Sequence, residues 1–204
     1  MLRLYRFRYS TNVERVALAL AHKGLGVEWV DVDPADRSEV VRVSGQALVP
    51  VLEHDGETLS DSAAILEYLE ASYPEPPLLP AAPARRSEIR VFCEWFNRVW
   101  KRPPNEIFAE EQKPDPDAAR IARLGAALAG SRDLLEDLLA GRDFLYGELS
   151  LADVTAFPFL KYALLWDPRD EERFHEILRE RLALGHGYPH LAAWIRRMDD
   201  LPRA

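Results

Sequence analysis

The chain has 204 residues, 48% of them hydrophobic and 29% charged, which is enough for one or two globular domains with a sizeable core. A net charge of −8 argues against nucleic acid as a partner, because holding phosphates takes a clustered basic face and the arginines here are scattered among carboxylates. Cys93 is the only cysteine, the five histidines show no H-E-x-x-H spacing, and no apolar run is long enough to span a bilayer, so no disulfide, no metal and no membrane partner are expected.

The opening, Met-Leu-Arg-Leu-Tyr-Arg-Phe, alternates like a strand rather than a signal-peptide core, which predicts a cytoplasmic protein and a first strand ending near Phe7. The cap-type cluster Arg8-Tyr9-Ser10-Thr11-Asn12 follows, and then Val13, Val16, Ala17, Leu20 and Ala21 recur at helical spacing up to Gly24. Val27 to Val32 reads as a second strand, and Val40 to Val43 as a short helix leading into Ser44-Gly45-Gln46. Val51 to Glu53 and Glu57 to Leu59 flank His54-Asp55-Gly56, a strong hairpin signal. Pro50 enters the first of these strands, where a proline costs no ladder bond and where an X-Pro bond can be cis. Asp61-Ser62 closes the hairpin and opens a helix with the apolar stripe Ile65, Leu66, Tyr68 and Leu69.

The proline-dense run from Pro74 to Pro83 marks a domain boundary, since it permits neither regular helix nor central strand. Everything beyond reads helical: Arg85 to Trp100, Asp117 to Leu139, Ser150 to Leu164, Glu171 to Leu184 and Pro189 to Met198. Lys101-Arg102-Pro103-Pro104 is expected to break or kink the first of these, and Pro158 to bend the third or sit near its first turns. Ser150 and Asp153 have capping-box spacing, with Leu149 and Val154 as the flanking hydrophobic pair. Cys93, beside Phe92 and Trp95, reads as a small buried hydrophobe.

Val49-Pro50, the hairpin, Asp61-Ser62 and the stripe after them resemble the second half of the thioredoxin-like domain of the glutathione transferases. Ser150-x-x-Asp153 and Tyr188-Pro189-His190-Leu191-Ala192-Ala193-Trp194 extend that resemblance over nearly the whole chain. It implies an α/β thioredoxin-like domain over residues 1–79 and an all-α domain over 85–204, the second contributing the electrophile site. It also implies glutathione as co-substrate and a homodimer. By the same resemblance the backbone of Val49, before a cis Pro50, faces the cysteinyl part of glutathione, and Asp61 and Ser62 hold its γ-glutamyl end. The family pattern frequently has a Lys or Arg just before Val-Pro. Here that position is Leu48, with Gln46 or Arg8 as weaker replacements.

In serine-type members a serine in the register of Ser10 donates its hydroxyl to the glutathione sulfur. A free thiol with a pKa of about 8.5 is only a few per cent thiolate at neutral pH, so any group that stabilises the anion raises the concentration of nucleophile. From the residues alone Ser10 is equally a helix cap. Tyr9 and Asn12 are rival donors on the same loop, and Tyr5 a further one whose simpler role is packing. Of the aromatics, Tyr9 and the Trp100 to Phe108 region, Trp100 and Phe108 included, are the candidates for an apolar electrophile site. Positions 10 and 13 carry no cysteine, which disfavours disulfide exchange and a glutathione-dependent reductase. A non-catalytic ligand-binding or interaction module on the same fold is the alternative to the transferase.

Overall fold

The computed structural model describes residues 1–204, the whole chain. Its backbone divides into two compact units, one of Met1–Leu79 with Leu201–Ala204 and one of Pro80–Asp200. No helix in either is long and apolar enough to cross a membrane.

The first unit is a four-stranded sheet in the order β2-β1-β3-β4, formed by β1 (Leu2–Arg6), β2 (Val27–Asp31), β3 (Val51–His54) and β4 (Glu57–Ser60). β1 runs parallel to β2, so a crossover is required, and α1 (Thr11–His22) supplies it. β1 and β3 are antiparallel, as are β3 and β4. Leu4 and Tyr5, adjacent and therefore on opposite faces, are both fully buried, which marks β1 as a central strand covered on both sides. Tyr5 packs with Val13, Val49 and Val51 and with Val40 of the short α2 (Ser38–Ser44).

The hairpin turns at Asp55 (φ 50°) and Gly56 (φ 88°), the pair of positive φ values that a two-residue turn matching strand twist demands. α1 ends in a Schellman arrangement: Gly24, at φ 65°, donates to the Ala21 carbonyl and Leu25 to that of Leu20. The third helix, α3 (Ser62–Ser72), ends where a buried ion pair fixes the chain's exit. Lys23 Nζ, fully buried, lies 2.7 Å from Glu70 Oε2 and donates to the carbonyls of Tyr73 and Pro76. Glu70 in turn accepts from the backbone N–H groups of Leu78 and Leu79, so both charges are fully engaged. The last residues also return to α1, through Arg203 Nη2 to Glu14 Oε1 at 3.0 Å and Ala204 N–H to the Ala17 carbonyl.

The second unit is all helical: α4 (Pro83–Trp95), α5 (Arg102–Glu111), α6 (Ala118–Leu139), α7 (Leu151–Leu160), α8 (Arg173–Leu182) and α9 (Pro189–Asp199). The expected break at Lys101 is present, but with two differences. α4 runs into a π-helical turn over Phe96–Trp100, and Pro103-Pro104 do not end order but begin α5, a helix absent from the sequence reading. Proline suits a first helical turn because those N–H groups have no intrahelical acceptor. The same rule places Pro83 inside α4 rather than in the linker. Pro158 sits in the last turn of α7, which then tightens into a 3-10 turn at Lys161–Ala163. Cys93 is only half-buried, at the margin of the stripe formed by Ile89, Phe92 and Phe96, and not a core residue as expected.

α7 is buried along its full length and forms the axis of this unit. Asp153, completely buried, closes the capping box by accepting from Ser150 N–H and Oγ–H at 3.0 and 2.8 Å. Its other oxygen accepts from Leu145 N–H and the Trp194 indole, both at 2.9 Å, tying α7 to α9. Burial pushes this carboxyl above its ordinary range, and the four donors pull against that shift.

Candidate functional site

The strand register assembles the site. Tyr5 pairs with Val51, and Val51 with Ser60, so the end of β1, the start of β3 and the end of β4 lie along one end of the sheet, the edge formed by its strand termini. The loop carrying Tyr9 and Ser10, the Val49-Pro50 step and the Asp61-Ser62 helix start therefore meet there, although more than 50 residues separate the first from the last. Two helix N-termini, those of α1 and α3, open at this edge. Tyr9 (φ 62°) and Asp61 (φ 79°) are non-glycine residues at positive φ. The only other one is Asp55 in the hairpin turn.

Ser10 is the N-cap of α1, with extended backbone (φ −61°, ψ 113°), and its Oγ accepts from Val13 N–H at 3.4 Å. That bond uses a lone pair and leaves the hydroxyl proton for an acceptor outside the helix, so capping and donation to a sulfur are compatible. The Val49-Pro50 bond is cis, and neither the N–H nor the C=O of Val49 bonds to a protein group. An extended ligand finds there a free donor and acceptor just ahead of β3.

Asp61 caps α3 through one oxygen, which accepts from Ala63 N–H at 2.7 Å and from Ala64 N–H at 3.4 Å. The residue is exposed, and its second oxygen remains open to a cation. Ser62, at the first position of α3, is buried, and its Oγ accepts from Arg15 Nη1 at 3.3 Å and donates to Asn12 Oδ1 at 3.4 Å. Arg15 also donates to Asn12 Oδ1 at 3.3 Å and is itself only 1% exposed. A buried guanidinium behind a helix N-terminus adds to its positive potential and favours a carboxylate there. The sequence reading missed Arg15. Its signal was the run Val16 to Ala21, apolar on every side, which marks a fully buried helix and hence a buried arginine beside it.

Tyr5 is not available to a ligand, because its hydroxyl donates to Glu53 Oε2 at 2.7 Å. Burial, with that bond, pushes the phenol up to about 12. Tyr9 is half-buried under the Arg8 guanidinium, 4.9 Å from its ring centroid. Gln46 is spent on its own loop, since its amide donates to Ser44 Oγ and the Leu48 carbonyl and accepts from Leu48 N–H. Trp100 is core: it stacks on Phe96 at 4.3 Å and its indole donates to Ser131. Phe108, on α5, is 38% exposed. No group of three or more His, Cys, Asp or Glu side chains is gathered closely enough to hold a metal ion.

A thioredoxin-like sheet domain carrying this edge, followed by an all-helical unit, defines the class of glutathione-using transferases. Residues 4–77 match the family described as "Glutathione S-transferase, N-terminal domain" and residues 118–197 the one described as "Glutathione S-transferase, C-terminal domain". The chain is 30% identical over 208 residues to a probable glutathione S-transferase, GSTU1, of Oryza sativa subsp. japonica, covering 95% of this chain and 83% of the relative. It is 27% identical over 190 residues to glutathione S-transferase U7 of Arabidopsis thaliana, covering 90% and 76%. The crystal structure of the beta-etherase LigF from Sphingobium sp. strain SYK-6 superposes with a TM-score of 0.77 at 25% identity, covering 98% of this chain and 95% of that one. The chain belongs to the glutathione S-transferase family. It is a glutathione transferase-like enzyme with glutathione as its co-substrate.

Proposed function

We propose that glutathione lies along the edge where β1, β3 and β4 end. Its cysteinyl peptide pairs with the Val49 backbone beside Pro50. Its γ-glutamyl carboxylate meets the Ser62 N–H at the start of α3 and replaces Asn12 Oδ1 as the acceptor of the Ser62 hydroxyl, and its ammonium meets the open oxygen of Asp61. The Ser10 hydroxyl donates to the sulfur, and the positive end of α1 favours the thiolate. That sulfur then attacks an apolar electrophile, forming an S–C bond while a leaving group departs with its bonding pair or, at a double bond, while the π pair shifts to the adjacent atom and takes a proton from water. Residues 1–79 bind glutathione and residues 85–204 serve the electrophile, with Phe108 as the aromatic of that region open to a ligand. The single observation that carries the reading is the convergence of an unbonded Val49 peptide, two helix N-termini and a capping serine at one edge.

Calorimetry with glutathione tests it. Binding that weakens by about tenfold or more in Ser62→Ala, the loss of a hydrogen bond to a charged group, is expected. No heat and no rise in melting temperature at millimolar glutathione would refute it. We further propose that the chain works in the cytoplasm as a homodimer, for which Val91 and Val99, 68% and 56% exposed along α4 and its π turn, offer apolar contact surface. Light scattering that reports a monomer at micromolar concentration would overturn that assignment.

A further inference from the structure

The turn that precedes Val49, Ser44 to Leu48, carries no charged side chain. With the γ-glutamyl group at α3, the cysteinyl peptide on Val49 and the sulfur turned to Ser10, the third residue of the tripeptide passes the turn preceding Val49. The side chain presented there is Leu48, 68% exposed and uncharged. Gln46 cannot substitute for a cation, because both its amide hydrogens and its carbonyl oxygen are used within the 44–48 turn. The arginines of the surrounding loops have partners of their own or lie outside the turn that carries Leu48. Arg37 donates to the carbonyls of Pro34 and Ala47 and lies 4.7 Å over the Phe7 ring, Arg42 pairs with Glu39, and Arg8 lies over Tyr9. The other end is built: an N-cap carboxylate, a buried serine and a buried arginine converge on it.

Resting on the glutathione reading above, we propose that recognition stops at the γ-glutamylcysteinyl part. The site then accepts γ-glutamylcysteinyl thiols whatever follows the cysteine: glutathione, its glycine esters and amides, and γ-glutamylcysteine itself. A glycyl carboxylate left in water beside Leu48 contributes little, whereas one held by a guanidinium fork or an ammonium would discriminate strongly against its ester.

The test is calorimetry on the full chain with glutathione, its glycine monoethyl ester, γ-glutamylcysteine and cysteinylglycine. Dissociation constants of the first three within about threefold of one another are expected, with binding of cysteinylglycine lost, as is the rule for an unpinned surface charge. Leu48→Lys should create a preference for glutathione over its ester of about fivefold, the scale of a partly exposed ion pair. A wild-type preference for glutathione over the ester of tenfold or more would overturn the proposal, and its collapse in Arg37→Gln would name Arg37 as the carboxylate's partner. Absence of any preference in Leu48→Lys would overturn the placement of the third residue at Leu48. If glutathione itself fails to bind, the glutathione site falls and this inference with it, whereas glutathione binding with strong discrimination sinks this inference alone.

Discussion

Replacing Ser10 separates two roles that its geometry combines. In Ser10→Ala the Val13 N–H loses its 3.4 Å acceptor, and the loss of an N-cap costs about 1 kcal/mol of folding stability. The same change removes a hydroxyl donor to a charged sulfur, worth about 1.5 to 3 kcal/mol, so the catalytic constant should fall roughly ten- to a hundredfold. Ser10→Asp divides the effects. Aspartate is among the best N-caps and is favoured at the positive end of α1, so stability should return to wild type or exceed it. Its carboxylate would stand beside the thiolate, and like charges raise the thiol's pKa, so activity should remain as low as in the alanine variant or fall further. The assay is urea denaturation of the three proteins alongside initial rates of conjugation to a chromogenic aryl halide across pH. An aspartate variant with wild-type rate and an unchanged pH profile would refute the assignment and leave Ser10 as a cap alone.

Glu70→Leu should cost about 3–5 kcal/mol in chemical denaturation, because it strands the buried Lys23 ammonium and two backbone N–H groups at once; a cost below 1 kcal/mol would mean the pair is solvated. Asp153→Asn should destabilise by at least about 2 kcal/mol, since whichever way the amide turns its NH2 group faces an N–H that needs an acceptor, that of Ser150 or those of Leu145 and Trp194. Thermal melts that leave this variant at wild-type stability would contradict the role of Asp153 as the joint of α7 and α9. Tyr5, raised to about 12 by burial and by its bond to Glu53, contributes stability that is fully present below pH 10 and lost as the pH rises toward 12. The stability gap between wild type and Tyr5→Phe should therefore shrink by up to about 1.4 kcal/mol per pH unit over that window, and a gap independent of pH would show that the phenol does not titrate there.

Local chemistry explains what was legible in the sequence. Asp55-Gly56 dictates its own turn, Asp61 and Ser10 cap the helices that follow them, and the Ser150-Asp153 spacing closes on itself within one helical turn. Pro103-Pro104 predicts a break or kink, yet proline also starts helices, and position relative to the helix, not residue type, decides between the two. Contacts that depend on distant partners left no trace. Lys23 meets Glu70 across 47 positions and Arg15 meets Ser62 across the same span, and nothing in either neighbourhood announces the other. Trp100 shows the limit of reading aromatics, because helical spacing does not say whether a ring faces ligand or core, and its stacking on Phe96 places it in the core. The site's backbone donors at Val49 and α3 were legible only through the family resemblance, since side-chain identity does not reveal an unbonded peptide.

The most direct test of the account is the titration of enzyme-bound glutathione followed through the ultraviolet absorbance of its thiolate. A free thiol titrates near pKa ~8.5, and a hydroxyl donor at the N-terminus of α1 should lower that value by about one to two units in the wild type, with much of the shift lost in Ser10→Ala. A bound thiol that titrates as it does in free solution, in wild type and variant alike, would contradict the claim that this edge of the sheet activates glutathione.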